Sequence, residues 1–234
     1  MLEGDYLRRG VAEFVGTFTL IFIGAGAAAF ARTPTDVALA NGLAIGVMVM
    51  AVGYISGGLF NPAITLGFLV TRRISTSLAL FYWLVQFAAG ATGALALKWV
   101  LPTDVQHAAN LGVPALGSGV GAGAGVVLEA IMTFFLVWVV FGAAVDPRGT
   151  FKQAAGLAIG LTISIDVIMG GGLTGAAMNP ARAFGPQLVG DHWSNAWVWY
   201  VGPGAGAVIA ATVYELLYLQ RKQQAAEPTA APEL

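Results

Sequence analysis

The chain has 234 residues, of which 57% are hydrophobic and only 10% charged, and its mean hydropathy is +0.77. That is too apolar for a soluble globular domain, and the repeated apolar runs point to a multi-pass membrane protein. Net charge is −1 with no basic block, and cysteine is absent, so nucleic acid is not an expected partner and disulfides, thiolate metal sites and cysteine nucleophiles are excluded.

In chain order, residues 1–10 form a short polar lead with Arg8 and Arg9. A first apolar span is predicted over about residues 11–31. It carries Glu13 and does not have the pattern of a cleavable signal. A second span covers about residues 37–56. Gly57-Gly58-Leu59-Phe60-Asn61-Pro62-Ala63 follows, then a short apolar piece, residues 64–70, closed by Arg72-Arg73. Proline suits the first helical position, where its missing N–H would be unpaired anyway, and asparagine just before it can cap free N–H groups. The piece is too short to cross a membrane, which takes about 20 residues as helix, so it is read as a re-entrant half-helix. A third span covers about residues 78–101. Residues 102–119 read as a connector without strong periodicity.

The second half continues with a span over about residues 120–145, a turn at Asp146-Pro147-Arg148-Gly149, and a span over about residues 153–169. Then comes Gly170-Gly171-Gly172-Leu173-Thr174-Gly175-Ala176-Ala177-Met178-Asn179-Pro180-Ala181-Arg182, which opens a second short apolar piece, residues 183–189. The last span covers about residues 196–219. Residues 223–234 are rich in alanine, proline and glutamate and are expected to be a disordered tail. The fold class expected is therefore all-α: six transmembrane helices and two half-helices.

The halves repeat. Gly42-Leu43-Ala44-Ile45-Gly46 recurs as Gly156-Leu157-Ala158-Ile159-Gly160, Glu13 is echoed by Glu129, and Tyr82-Trp83 by Trp199-Tyr200. Residues 1–115 and 116–222 are read as two repeats within one channel domain. Three spans per half is odd, so the second repeat lies inverted in the membrane, with the site at the midplane interface. With the N-terminus cytoplasmic, Arg8, Arg9, Arg72, Arg73, Arg148, Lys152, Arg221 and Lys222 fall inside, and only Arg32 and Lys98 outside. That is a positive-inside bias and predicts both termini in the cytoplasm.

Two half-helices entering from opposite faces bring both N-termini to the centre, each worth roughly +0.5 charge. That point repels cations, while the Asn61 and Asn179 amides offer hydrogen bonds, which describes a pore for neutral, hydrogen-bonding molecules. Arg182 either faces a water-filled cavity, where it donates hydrogen bonds and repels cations, or snorkels to the interface. Glu13 and Glu129 are read as acceptors for backbone N–H groups of the two re-entrant loops, in preference to proton relays. Asp166, without a counterpart in the first half, ties down the Gly170–Gly172 segment or lines the pore. His107 and His192 read as surface residues, and Trp193, Trp197, Trp199 and Tyr200 as interfacial aromatics. No catalytic set, phosphate loop or metal-spaced cluster is visible, so no enzyme and no cofactor is expected.

With these motifs the chain closely resembles the aquaporin (major intrinsic protein) family over nearly its whole length: Ala-Glu-Phe-Val-Gly-Thr-Phe from Ala12, Ile-Ser-Gly-Gly-Leu-Phe-Asn-Pro-Ala from Ile55, and Met-Asn-Pro-Ala-Arg from Met178. The resemblance implies a right-handed bundle, a homotetramer in the lipid bilayer with one pore per subunit, and passage of water and small neutral solutes. It also implies a second constriction formed by Asn41, Val167, Ala176 and Arg182. Strict water channels carry Phe and His at the first two of these places, so the constriction here is expected to be wider. The flavour is that of the plant vacuolar-membrane subfamily, which has His at the first place where this chain has Asn41. Ammonia, hydrogen peroxide, glycerol or urea is the alternative main cargo.

Overall fold

The computed structural model describes residues 4–149 and 152–219. Among these, every regular element is helical. The first helix, α1 (Gly4–Thr19), widens into a π-type turn over Leu20–Ala25. Next come α2 (Pro34–Ser56), the short α3 (Pro62–Val70) and α4 (Thr76–Val100). After a small helix, α5 (Thr103–Ala109), the second half has α6 (Ala122–Val140), α7 (Ala155–Thr174), the short α8 (Pro180–Gly190) and α9 (Val198–Tyr214). π-type turns extend α6 to Val145 and α9 to Leu219.

The ends follow local chemistry. Thr33 caps α2 by accepting the Asp36 N–H, while Asp36 accepts the Thr33 N–H at 2.9 Å, with Pro34 opening the first turn. Ser75 caps α4. Among the described residues, five helices are long and apolar enough to cross a membrane: Pro34–Ser56, Thr76–Val100, Ala122–Val145, Lys152–Thr174 and Val198–Leu219. α1 with its extension is comparable in length, but its first turns contain Asp5, Arg8 and Arg9, so the helix begins before the apolar run predicted from residue 11. α3 and α8, with 9 and 11 residues, reach only about 14 and 17 Å, roughly half a bilayer core.

Three boundaries differ from the sequence expectation. The connector 102–119 contains α5 and a tight turn at Asn110–Gly112. The fifth span does not stop near residue 169, because Gly170-Gly171-Gly172 stay helical and α7 ends only at Thr174, with Gly175 as its left-handed cap. Gly170 there serves close packing: a Cβ on it would lie 2.3 Å from Met132 Sδ. The predicted tail, residues 223–234, lies outside the described residues, as do Arg221 and Lys222.

The repeated Gly-Leu-Ala-Ile-Gly motif faces itself. α2 packs on α7, and a Cβ on Gly42 would meet the Gly160 carbonyl at 2.2 Å, while one on Gly160 would meet the Gly42 carbonyl at 2.4 Å. Gly46 and Gly156 make the same reciprocal approach. Such backbone contact is how membrane helices associate without a hydrophobic driving force. Gly42→Val should therefore force α2 and α7 apart at a cost of at least 1–3 kcal/mol, roughly that of overpacking a core. Thermal unfolding in detergent checks it, and an unchanged midpoint would contradict this packing.

α6 packs on α9, α4 on α8, and α3 on α9. The outward faces carry large apolar side chains such as Leu43, Val47, Leu84 and Ile165, all at least half exposed, as suits a bundle solvated by lipid. At the end of α3, Arg73 makes a two-pronged ion pair with Glu215 at 2.7 and 3.0 Å and lies over the Phe141 ring. Nearby, Arg148 pairs with Asp146, which also accepts the Tyr214 hydroxyl at 3.1 Å. The Arg148 guanidinium holds the Asp146 carboxyl well below the usual carboxylate range. These contacts fasten the short helix and the 141–149 turn to the end of α9.

Candidate functional site

The two short helices meet at their N-termini. Asn61 and Asn179 have extended backbones, and their side-chain oxygens accept the N–H of Ala63 at 2.8 Å and of Ala181 at 2.9 Å. Each thereby caps its own helix. Each also reaches across: Asn61 Nδ2 donates to the Met178 carbonyl, and Asn179 Nδ2 to the Phe60 carbonyl, both at 2.9 Å. An amide nitrogen has two hydrogens, so one remains on each side chain. Pro62, Ala63, Pro180 and Ala181 form the buried first turns behind these caps.

Both loops need left-handed backbone to bring the asparagines together. Gly57, Gly58 and Phe60 have φ of 100°, 64° and 49°; Gly175, Ala176 and Met178 have 79°, 43° and 52°. For Phe60, Ala176 and Met178 this is strained, about 1–3 kcal/mol each, and persists only where the surroundings over-determine it. Glu13 and Glu129 do that. Glu13 accepts from the Ser56 hydroxyl (2.6 Å), Leu59 N (3.0 Å), Phe60 N (2.7 Å) and Gln86 Nε2 (2.8 Å). Glu129 accepts from the Thr174 hydroxyl (2.7 Å), Ala177 N (2.9 Å) and Met178 N (2.7 Å). Both glutamates are fully buried. Thus Phe60 and Met178 each have their N–H on a glutamate and their carbonyl on the opposite asparagine, while Ala176 donates its N–H to the Thr174 hydroxyl at 3.2 Å, which Glu129 in turn holds.

Two aromatics of the repeated pair, to which the sequence assigned no loop-holding role, complete the support. Tyr82 donates its hydroxyl to the Ser56 carbonyl at 2.7 Å, and Trp199 its Nε1 to the Thr174 carbonyl at 2.9 Å. Trp199 is buried, so of the group read as interfacial aromatics only Trp193 and Trp197 stand well exposed. The signal was present in the echo of Tyr82-Trp83 by Trp199-Tyr200. His107 and His192 are exposed, as expected.

A narrow cavity of about 30 Å³ lies against this junction. Its polar side chains are Asn41, Asn61, Asn179 and Arg182; Ala176 and aliphatic groups such as Ile45, Leu136, Ile159 and Ile163 make the rest of the wall. Arg182 is buried and its Nη1 donates to the Gly112 carbonyl at 2.8 Å, so it faces the cavity and does not snorkel. Asn41 donates to the carbonyls of Gly24 (3.2 Å) and Val37 (2.8 Å), which pins its amide to the π-type turn of α1. Of the four expected constriction residues, Val167 is buried but is not part of the cavity wall. Asp166 makes no hydrogen bond to the Gly170–Gly172 segment and does not line the cavity; its Oδ2 is buried without a partner. One helical turn separates it from Gly170, and the intervening backbone groups bond within α7, leaving its carboxyl nothing to tie down.

A family model described as Major intrinsic protein matches residues 2–214. The chain belongs to this family. It is 40% identical over 241 residues to Aquaporin TIP1-2 of Zea mays, covering 98% of this chain and 93% of that protein. It is also 40% identical to Probable aquaporin TIP3-2 of Arabidopsis thaliana, covering 92% of this chain and 85% of that protein. Among solved structures, the aquaglyceroporin from Plasmodium falciparum superposes with a TM-score of 0.85 over 94% of this chain and 99% of that one, at 22% identity. The major intrinsic protein fold is thus shared where most side chains differ.

Proposed function

We propose that this major intrinsic protein is a passive pore for water and small uncharged, hydrogen-bonding solutes that excludes ions and protons. As a member of its family it is a channel and not an enzyme, and it is an integral, multi-pass membrane protein. The observation that carries the reading is the junction: two helix N-termini, two asparagine amides with a hydrogen to spare and a buried arginine, all beside a narrow and otherwise apolar cavity. A solute that gives up hydration there finds donors at Asn61, Asn179 and Arg182, whereas a cation meets the positive ends of two helix dipoles and a guanidinium.

In this reading Asn41, Val167, Ala176 and Arg182 set the selectivity, and Glu13 and Glu129 hold the loops. Residues 1–115 and 116–222 are inverted repeats; the self-facing Gly-Leu-Ala-Ile-Gly motif and the matched glutamate clamps support this. The charge bias supports cytoplasmic termini, and the family supports a homotetramer in the lipid bilayer. A second reading, a facilitator whose main cargo is ammonia, hydrogen peroxide, glycerol or urea, is favoured by the small Ala176 in the cavity wall and by Val167 standing off it.

Stopped-flow light scattering on proteoliposomes tests both. An osmotic step in sucrose should give shrinkage well above that of empty vesicles, and shrinkage no faster than theirs would refute the water pore. Fast re-swelling in glycerol or urea would establish the second reading. Asn41→Phe should then abolish re-swelling while water flux persists; equal solute flux in that variant would remove Asn41 from the filter.

A further inference from the structure

We propose that Gly24 is a positioning residue that sets the specificity of the pore: its lack of a side chain lets the Asn41 amide lie back against α1, and a side chain there drives that amide into the cavity and narrows it. The inference rests on the channel reading above and adds a residue that is not itself part of the cavity wall.

Asn41 is held by two carbonyls. Its Nδ2 donates to Gly24 O at 3.2 Å and to Val37 O at 2.8 Å. A carbonyl cannot donate, so the nitrogen and not the oxygen must face these partners, and both of its hydrogens are in use. What remains is Oδ1. It accepts no hydrogen bond among the described residues, yet it is not one of the sealed, partnerless side-chain atoms, which belong to Thr17, Asp166 and Gln187. Asn41 is only 4% exposed and lines the cavity, so the surface its oxygen keeps is cavity surface. An amide oxygen only accepts. A solute passing Asn41 must therefore offer it an N–H or O–H, while the Arg182 guanidinium, which only donates, takes an acceptor.

Gly24 decides how far that oxygen stands out. It is buried in the π-type turn Leu20–Ala25. A Cβ on it would lie 2.4 Å from Asn41 Oδ1, 2.8 Å from Cγ and 3.3 Å from Nδ2. At Gly42 and Gly160 an added Cβ meets a backbone carbonyl, and helices would have to separate. At Gly24 it meets the movable end of a side chain, so the helices can stay and the amide moves. Ordinary contact requires Oδ1 to withdraw by about 1 Å. The open side is the cavity, whose volume of about 30 Å³ holds only about two water-sized spheres. An intrusion of this size is large on that scale.

The same turn also reaches the support of Arg182. Gly112, whose carbonyl accepts Arg182 Nη1 at 2.8 Å, has φ of 70° and packs on Ala25: a Cβ on it would lie 2.7 Å from the Ala25 Cβ and 2.8 Å from the Ala25 carbonyl oxygen. Two consecutive residues of the π-type turn thus stand behind the acceptor and behind the anchor of the donor. π-type turns recur at functional sites, where the extra residue redirects the backbone.

The test is light scattering on proteoliposomes of the wild type, Gly24→Ala and Gly24→Ala with Asn41→Ser, with sucrose and urea as the osmolytes. Gly24→Ala should lower water flux several-fold and bring urea entry to the rate of empty vesicles. Asn41→Ser shortens the side chain that the new Cβ strikes and keeps a hydroxyl, so the double variant should regain wild-type water flux and pass urea at least as fast as the wild type. A Gly24→Ala channel that matches the wild type in both fluxes overturns the proposal, and so does a loss that Asn41→Ser does not relieve, since a glycine needed only for the path of α1 would not be rescued from position 41. If Gly24→Ala is not recovered folded, recovery of the double variant supports the clash, and failure of both overturns it. Wild-type water flux no faster than that of empty vesicles would be a failure of the channel reading. Thermal midpoints in detergent, lowered by Gly24→Ala and restored in the double variant, would then still decide whether Gly24 sets the place of Asn41.

Discussion

Glu129→Ala is expected to prevent recovery of a folded, monodisperse protein. The substitution removes the acceptor for three buried donors: the Thr174 hydroxyl and the N–H groups of Ala177 and Met178. A buried donor left unpaired costs about 1–3 kcal/mol, so the loss is about 3–9 kcal/mol, on the scale of the whole stability of a domain. No water can repair it inside a membrane bundle, because the site is fully buried. Strain adds to this, since the left-handed Met178 loses the contact that over-determines it, and the Thr174 hydroxyl that holds the left-handed Ala176 loses its own acceptor. Glu129→Gln retains one carbonyl acceptor and should be milder. Yield, size-exclusion profile and thermal midpoint in detergent measure the series. An alanine variant that runs and unfolds like the wild type would show that the loop is held by something else.

This dependence explains why the junction was legible from sequence and its periphery was not. Asn61-Pro62-Ala63 and Asn179-Pro180-Ala181 each carry local instructions, a cap followed by a residue that must be first in a helix, so their structure follows from chain chemistry alone. Glu13 and Glu129 were legible because an acid in an apolar span needs donors, and each half offered one loop that had them to give. Ser56, Thr174 and Gln86 carry no such mark; they matter only because folding places them beside a glutamate. The same applies to Gly112, whose carbonyl holds Arg182 from a connector without periodicity. The glycine run before Thr174 misled in the other direction. Glycine lowers helix propensity, but Gly170 stays helical because Met132 occupies the space a side chain would take. Val167 lies four residues beyond Ile163 and eight beyond Ile159 on the same face of α7, and the cavity wall takes in those two isoleucines and ends a turn short of it.

Arg182→Val should turn a water pore into one that leaks cations. A unit charge about 4 Å from another interacts with roughly 4 kcal/mol at the effective dielectric of a partly polar site, or about a thousandfold in occupancy. Removing Arg182 deletes that barrier and does a second thing: it removes the one buried cation among the described residues, leaving the charge of the buried Glu129 unbalanced behind the Ala177–Met178 wall. Two helix N-termini of roughly +0.5 charge each no more than cancel it. The Gly112 carbonyl, freed of its donor, turns into an acceptor near the cavity. All three changes favour a cation. Water flux should survive, since Asn61 and Asn179 keep their caps and cross-bonds. Vesicles loaded with a pH-sensitive dye, challenged by an ion gradient, read the leak directly. The double variant Glu129→Gln with Arg182→Val separates the causes: if charge excludes ions, it should leak less than Arg182→Val alone, whereas if the side chain acts only by narrowing the pore, the two should leak equally. A leak unchanged from wild type in Arg182→Val, with water flux intact, would leave exclusion to the helix dipoles alone.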